Sequence, residues 1–259
     1  MALTSYYVLY SHIFYCQTIA FSDFEKVQER LYVSPGIDAA QRQLMYATIQ
    51  KARNRVEEFW GNSVSQATLI LCSNSDEYQK YCHSYEGAGC SLGTPWGDSY
   101  IVLNPYGMND DVISHEMCHD ELFTRLGWWK ATTQIPQWFN EGLALMLDRR
   151  FVPETDPLPR YLSYKDEWLY LTHGAQEVLE LDELKSMKGF FGGNQRRVML
   201  AYMTAGMEVS YWLMLTGPKN VQILVDAVSK GRDFGSTYES MKKAGEAQHK
   251  VPPASYPLR

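Results

Sequence analysis

The chain has 259 residues, and 45% of them are hydrophobic, so it can bury a sizeable core as one large domain or as two lobes that share a cleft. Its formal net charge of −6 argues against a nucleic-acid partner, because phosphate contacts are supplied mostly by clustered Lys and Arg. The five cysteines are odd in number and form no CxxC pair, so they indicate neither a zinc ribbon nor a complete disulfide framework, although Cys82 and Cys90 could pair in an oxidising compartment.

The N-terminal segment, residues 1–29, is open to more than one interpretation. Residues 6–21 are apolar enough for the hydrophobic region of a signal peptide, and Thr18-Ile19-Ala20 is an acceptable cleavage site. However, no Lys or Arg precedes this stretch and polar residues interrupt it, so a retained strand or an interfacial segment fits equally well. The stretch favours an exported protein over a cytoplasmic one, and it is the only part of the chain that we expect to contact a membrane.

The first regular element that the sequence predicts is a long helix from Asp38, as N-cap, through Trp60, with Gly61 as its stop. Its apolar positions include Leu44, Ile49, Val56 and Trp60.

Strands and one short helix are predicted next. ATLILC, residues 67–72, is typical of a buried strand, Ser75 to Cys82 of a short helix, and SYIVLN, residues 99–104, of a second strand. The intervening GAGCSLGTPWGD is interpreted as a Gly-rich loop.

From Asn109 onward every periodic segment is predicted to be helical. Val198 to Leu215 is apolar enough for a membrane span, but Glu208 and Gly206 near its middle favour a buried core helix. Strands followed by helices predict an α+β fold with a helical second lobe. The predicted helices cover residues 110–126, 136–148, 165–173, 195–216, 218–230 and 236–244.

The helix at 110–126 contains the sequence HEMCH. His115 and His119, four residues apart, project from the same helix face, so both imidazoles can reach one metal ion. Glu116 lies about 60° around the helix from His119, where its carboxylate can contact a metal-held water without being a ligand. Cys118 points about 100° away from His119 and is predicted to pack in the core.

A second motif, IPQWFNEGLALML at residues 135–147, supplies a third ligand. Pro136 suits the start of a new helix, and Glu141 follows within its first two turns, about 22 residues after His119. A carboxylate on a helix packed antiparallel to the first completes a His2Glu site.

Together, HEMCH and WFNEGLA resemble the gluzincin metallopeptidases, especially the group that shares the WLNEGFA-type motif of zinc aminopeptidases. The resemblance implies a zincin fold, a small mixed β-sheet with the active-site helix in an N-terminal lobe followed by a helical C-terminal lobe, and one Zn²⁺ on His115, His119 and Glu141. The expected division is an N-terminal α/β lobe at 30–130, a helical lobe at 131–250 and a tail at 251–259.

A third match to this group is weaker. Its members carry a tyrosine on a later helix, in a Tyr-x-Lys-Gly context, and this chain has Tyr202 in LAYMTAGMEV at a comparable distance from Glu141. By that resemblance Tyr202 would donate a hydrogen bond to the oxyanion, although a tyrosine in an aromatic-rich helix can also be a core residue. The lysine is replaced by Thr204.

The chain departs from known gluzincins in other places. The Gly-x-Met-Glu-Asn segment that binds a free amino group in aminopeptidases is absent, and Glu86 and Asp98 could imitate its carboxylate but are more typical of solvated loop charges. Thermolysin-like enzymes have an aspartate where this chain has Leu145. The histidine required of metzincins is replaced by Arg125.

The sequence therefore predicts a zinc metallopeptidase that hydrolyses peptide bonds through a metal-held water activated by Glu116, and an endopeptidase is favoured. SYIVLN could be the edge strand that pairs with the substrate or an ordinary interior strand. An aminopeptidase and a catalytically silent binding or scaffold module are the alternatives. The partner is a peptide or protein substrate, and no nucleic acid is expected.

Overall fold

The computed structural model describes residues 8–85 and 87–249. These residues form a mixed five-stranded sheet and a mostly helical remainder, which confirms the α+β class. The chain divides into two compact units, the first containing residues up to Glu58 together with Asn62–Trp128, and the second containing Phe59–Gly61 and the chain from Trp129 onward.

The elements up to the site helix are, in chain order, α1 (Ser11–Gln17), β1 (Glu25–Gln28), β2 (Leu31–Val33), α2 (Ala39–Trp60), β3 (Thr68–Leu71), α3 (Ser75–Cys82), β4 (Gly89–Gly93), β5 (Ser99–Leu103) and α4 (Asp110–Thr133). The strand order is β1-β2-β3-β5-β4. Strands β2, β3 and β5 are parallel, whereas β1 and β4 pair antiparallel at the two edges.

The position of β5 corrects one prediction. SYIVLN was a candidate edge strand, but β5 lies between β3 and β4, and all five of its residues are buried. A strand hydrogen-bonded on both sides has no free backbone to offer a peptide. On this side of the sheet, β4 is the edge strand.

Strand β4 was predicted as loop because glycine is a poor strand former. The structure gives a packing reason for one of these glycines. A Cβ added at Gly93 would come within 2.2 Å of the Phe123 ring on α4, so any larger residue would have to displace this ring. The short strands β1 and β2 were not predicted either.

The apolar stretch at residues 6–21 is helical over Ser11–Gln17 and Ile19–Phe21, so the strand interpretation is wrong there. Positions 6 and 7 lie outside the described residues. Cys16 of α1 and the following Ile19 are buried in the same apolar cluster as strand residues such as Ile70 and Val102. A disulfide joins Cys82, at the end of α3, to Cys90 on β4.

Helix α2 begins and ends where the sequence predicts. The backbone N–H of Gln41 donates to Asp38 Oδ1 at 2.8 Å, and the Gln41 side chain accepts from the Asp38 N–H at 3.0 Å, which forms a reciprocal N-terminal cap. Gly61 has φ 73° and ends the helix. Leu44, expected on the apolar face, is 67% exposed, so that assignment is wrong, whereas Val56 is fully buried.

The second unit is helical. Its elements after α4 are α5 (Gln137–Leu145), α6 (Pro157–Leu171), α7 (Met187–Phe191), α8 (Gln195–Thr216), α9 (Lys219–Ser229) and α10 (Phe234–His249). Helix α6 starts eight residues earlier than predicted, and α7 was not predicted. Helix α8 is long and apolar enough to cross a membrane, but 78% of its most apolar window is buried, as predicted for a core helix.

Candidate metal centre

Helix α4 carries both histidines, and its start is fixed by polar contacts. Asn109 caps it, since its Oδ1 accepts from the Val112 N–H at 3.0 Å. Arg55 of α2 donates to Asp111 at 2.6 Å and also pairs with Asp110. These carboxylates also complement the positive end of the helix dipole.

Two buried carboxylates hold the middle of α4. Asp120 accepts, through Oδ2, hydrogen bonds from Ser65 Oγ at 2.6 Å and from the backbone N–H groups of Gln66 and Ala67 at 2.9 and 3.0 Å. Its side chain is fully buried. Buried carboxylates need such donors, so the residue directly after His119 anchors the helix to the loop that precedes β3.

Glu121 extends this anchor. Its Oε1 accepts from the backbone N–H groups of Val64 and Ser65 at 2.8 and 2.9 Å, and its Oε2 accepts from Arg125 Nε at 3.0 Å. Arg125 also donates to the Asn62 carbonyl at 2.7 Å. We did not predict this anchor. Its local sign in the sequence is a pair of adjacent acids followed directly by the apolar Leu122 and Phe123.

The structure brings the three predicted ligands together. His115 is buried and His119 is half-buried, and their ring centroids lie 4.9 Å apart with the planes at 80°. His115, His119 and Glu141 each offer one ligand atom, and these three atoms lie within 4.8 Å of one another. No other group of three such side chains was found among the described residues. The cluster could therefore hold a metal ion.

Helix α5 positions Glu141 within the second unit. The N–H groups of Gln137 and Trp138, which have no partner inside the helix, donate to the carbonyls of Lys185 and Leu184 at 3.0 and 3.1 Å. One turn later, Glu141 Oε1 accepts from the Gln137 side-chain amide at 2.7 Å. The buried carboxylate thus has a neutral donor that orients it.

Gly142, the next residue, explains the glycine in WFNEGLA. A Cβ at this position would lie 2.6 Å from the backbone oxygen of Ala205 and 2.6 Å from Val209, both on α8. Only glycine lets α5 approach α8 so closely.

Glu116, the predicted base, is buried at 7% exposure. A Cβ at Gly89 would lie 2.9 Å from its Cγ and 3.1 Å from its Oε1, so this carboxylate packs directly against edge strand β4. Tyr78 is also near: burial, and then the negative charge of Glu116, raise the pKa of Tyr78.

Tyr202 lies on α8, three residues before Ala205, which α5 contacts. Its ring is half-buried, stacks on Phe151 at 6.0 Å and meets Phe190 edge-on at 5.1 Å. Thr204, which replaces the lysine of the gluzincin motif, is buried and accepts from Trp168 Nε1 at 3.1 Å. Thr204 therefore has a packing role.

Asp98 accepts from Trp96 Nε1 at 3.1 Å in the β4–β5 hairpin, whereas Glu86 lies outside the described residues. Leu145 is buried in the position where thermolysin-like enzymes have an aspartate. Cys118 is fully buried, which agrees with the predicted packing in the core.

The donor set fits a divalent metal. Two imidazoles and one carboxylate, buried or half-buried, form the combination that catalytic zinc uses in several peptidases, with a coordination position left open. No family model and no curated protein matched the chain. The functional conclusion therefore depends on the motifs and on the geometry of the site.

Proposed function

We propose that this protein is a zinc-dependent metallopeptidase of the gluzincin type that cleaves internal peptide bonds. The observation that carries the proposal is the cluster of His115, His119 and Glu141, whose ligand atoms lie within 4.8 Å, with Glu116 directly after the first histidine. A zincin fold for the first unit is part of this proposal.

His115, His119 and Glu141 would hold the metal. When bound, zinc supplies the Lewis acidity that makes a water nucleophilic near neutral pH and polarises the substrate carbonyl. Glu141 is oriented by Gln137, and the histidines are fixed by a helix anchored at Asp110 and Asp120. This anchoring keeps the donor atoms in place before substrate arrives.

Glu116 would move the proton. Its carboxylate takes a proton from the attacking water and later delivers it to the amine that leaves when the peptide bond breaks. Burial against Gly89 keeps the carboxylate from competing interactions with bulk water. Tyr202 would donate a hydrogen bond to the oxyanion, a role suggested by its position on the helix that supports α5.

We place the substrate on β4 rather than on β5. Among the described residues β4 pairs only with β5, so its other edge has backbone groups that can pair with an extended peptide. The contact between Gly89 and Glu116 puts the base beside that edge. Main-chain pairing along a strand favours an internal segment of a peptide over a chain end.

The aminopeptidase alternative gains no support from Asp98. Gly93 pairs with Ser99, so Asp98 lies beyond the end of β4 that is opposite to Gly89, roughly 13 Å or more along the strand. A carboxylate at that distance cannot bind the α-amino group of an N-terminal residue whose peptide bond is cut beside Glu116. We expect acetylated and unblocked peptides to be cut at similar rates. Strict release of single N-terminal residues would contradict the endopeptidase proposal.

The test is an unbiased peptide-library digestion that compares wild type with Glu116→Gln. The substitution keeps the side-chain shape but removes the base, so we expect wild type to cleave and the variant to lose several orders of magnitude of turnover. Both preparations are analysed for metal first. Equal cleavage by both would reject Glu116 as the base. No cleavage by metal-loaded wild type would contradict the proposal and favour a silent binding module.

A further inference from the structure

The first unit contains a cavity of about 500 Å³ where strands β3 and β5 begin, and none of the three candidate metal ligands lines it. Its volume is within the range of small-molecule and side-chain pockets. Its walls combine four aromatic rings with one guanidinium and one carboxylate. These side chains are Arg30, Trp96, Asp98, Tyr100, Phe123 and Trp128.

Local hydrogen bonds hold the polar edge of this cavity. Trp96 is half-exposed, and its Nε1 donates to Asp98 Oδ2 at 3.1 Å, which ties the indole to the hairpin. Arg30 donates to the Gln66 side-chain oxygen at 3.3 Å and to its backbone carbonyl. Indole, phenyl and phenol rings and a planar guanidinium all stack well on another flat ring.

Phe123 on the site helix connects the end of β4 to the cavity. The Phe123 ring touches Gly93 at the end of β4 and also lines the cavity, and the chain from Pro95 to Asp98 forms another wall. Glu116, at the other end of β4, lies seven residues before Phe123 on the same helix. A peptide extended along β4 from Gly89 would meet the cavity after roughly five to seven residues.

We propose that this cavity is a remote substrate subsite that binds an aromatic side chain with a polar tip, tyrosine or tryptophan, about five to seven residues from the scissile bond. The inference rests on the proposed peptidase function. Stacking supplies the attraction, and Asp98 or Gln66 can accept a hydrogen bond from the phenol or indole. The subsite makes a long internal segment a better substrate than a short one.

Binding can be measured without catalysis. N-acetyl-tyrosinamide is titrated into the protein while indole fluorescence is excited at wavelengths that tyrosine does not absorb. We expect a saturable change that disappears in Trp96→Ala and persists in Trp129→Ala, since Trp129 is 69% exposed and does not line the cavity. An equal response to N-acetyl-lysinamide or N-acetyl-leucinamide, or a response that survives Trp96→Ala, would overturn the proposal.

Cleavage kinetics provide the second arm. In a peptide that wild type cuts, replacing the distal aromatic residue by alanine should raise KM about tenfold with kcat nearly unchanged, and Trp96→Ala should abolish that difference. Cleavage that ignores every distal residue would contradict the subsite but leave the peptidase proposal intact. Saturable tyrosinamide binding without cleavage of any peptide would show that the cavity binds an aromatic side chain. It would also contradict the proposed peptidase function, and with it the role of the cavity as a substrate subsite.

Discussion

Helices α4 and α5 both carry candidate metal ligands, but different contacts hold them in place. Helix α4 is fixed by charged groups: Asp110 meets Arg55, and the buried Asp120 and Glu121 bind backbone N–H groups of the 63–67 loop. Helix α5 is short and largely apolar, and seven of its nine residues are buried.

The apolar contacts of α5 are made by its own side chains and by its backbone. The Phe139 ring lies 4.9 Å from Phe234 and 5.8 Å from Tyr238, and Gly142 touches the backbone of α8. The placement of α4 therefore depends on hydrogen bonds and ion pairs to its carboxylates, whereas the placement of α5 depends on close apolar packing. Substitutions that displace one helix should accordingly differ from those that displace the other.

The largest effect concerns α8, the helix on which α5 packs. If Tyr202 acts on the oxyanion, Tyr202→Phe keeps the ring stacked on Phe151 but should lower kcat about ten- to a thousandfold with KM and stability nearly unchanged. Turnover and melting temperature are measured on one preparation. A destabilised but fully active variant would make α8 purely a support for α5.

The next effect tests whether shape holds α5. In Gly142→Ala the new methyl group meets the Ala205 backbone, which cannot rotate away, so we expect a loss of about 2–3 kcal/mol in the free energy of unfolding. Urea unfolding measures it. The control is Gly235→Ala on α10, where the nearest atom is 3.6 Å away and alanine should be neutral or slightly stabilising. Equal behaviour of both variants would contradict the packing account.

A smaller loss is expected when the charged anchor of α4 is weakened. Asp120→Asn keeps the size of the side chain but replaces a carboxylate that accepts three hydrogen bonds, so we expect about 1–3 kcal/mol of destabilisation. Asp182→Asn serves as the control, since Asp182 is exposed and pairs with Lys185 at the surface. That variant should change stability by less than about 0.5 kcal/mol. A silent Asp120→Asn would mean that the loop does not fix α4.

The smallest effect is a pH dependence at the start of α4. Partial burial opposes ionisation of Asp110, but its hydrogen bond with Lys51 and the charge of Arg55 outweigh this and lower its pKa. A carboxyl with a depressed pKa contributes stability above its unfolded pKa and loses it as the pH falls through the folded value. Below about pH 4, wild type should therefore lose under about 1 kcal/mol of its free energy of unfolding. Asp110→Asn should not show this loss, because it has no carboxyl group at this position. Parallel stability curves for the two proteins down to pH 2 would refute it.

Local signals predicted much of the helical structure. Asp38 and Gly61 mark the ends of α2, and the predicted bounds of α3 (Ser75–Cys82) and of residues 195–216 agree with the structure. In each case a cap and an uninterrupted periodicity act within a few residues, so no distant partner is needed. The spacing of the motifs likewise anticipated a cluster of His115, His119 and Glu141, whose roles as ligands stay predictions.

Contacts between distant residues could not be predicted in this way. The glycines of strand β4 lie where α4 packs onto it. From a single sequence, glycines required by packing cannot be distinguished from those of a flexible loop. The same applies to Asp120, whose partners lie more than fifty residues earlier, and to β5, whose interior place depends on β4. Leu44 shows the converse, since an apolar residue can remain exposed.

The central claim, that one zinc ion is held by three side chains of α4 and α5, is tested most directly by metal analysis of purified variants. We expect one zinc per chain in wild type, in Glu116→Gln and in Cys118→Ala, because neither substituted side chain is a ligand. His119→Ala should lose stoichiometric zinc, because two remaining protein ligands bind it too weakly. Full zinc content at unchanged affinity in His119→Ala, or loss of zinc in Glu116→Gln, would contradict the assignment.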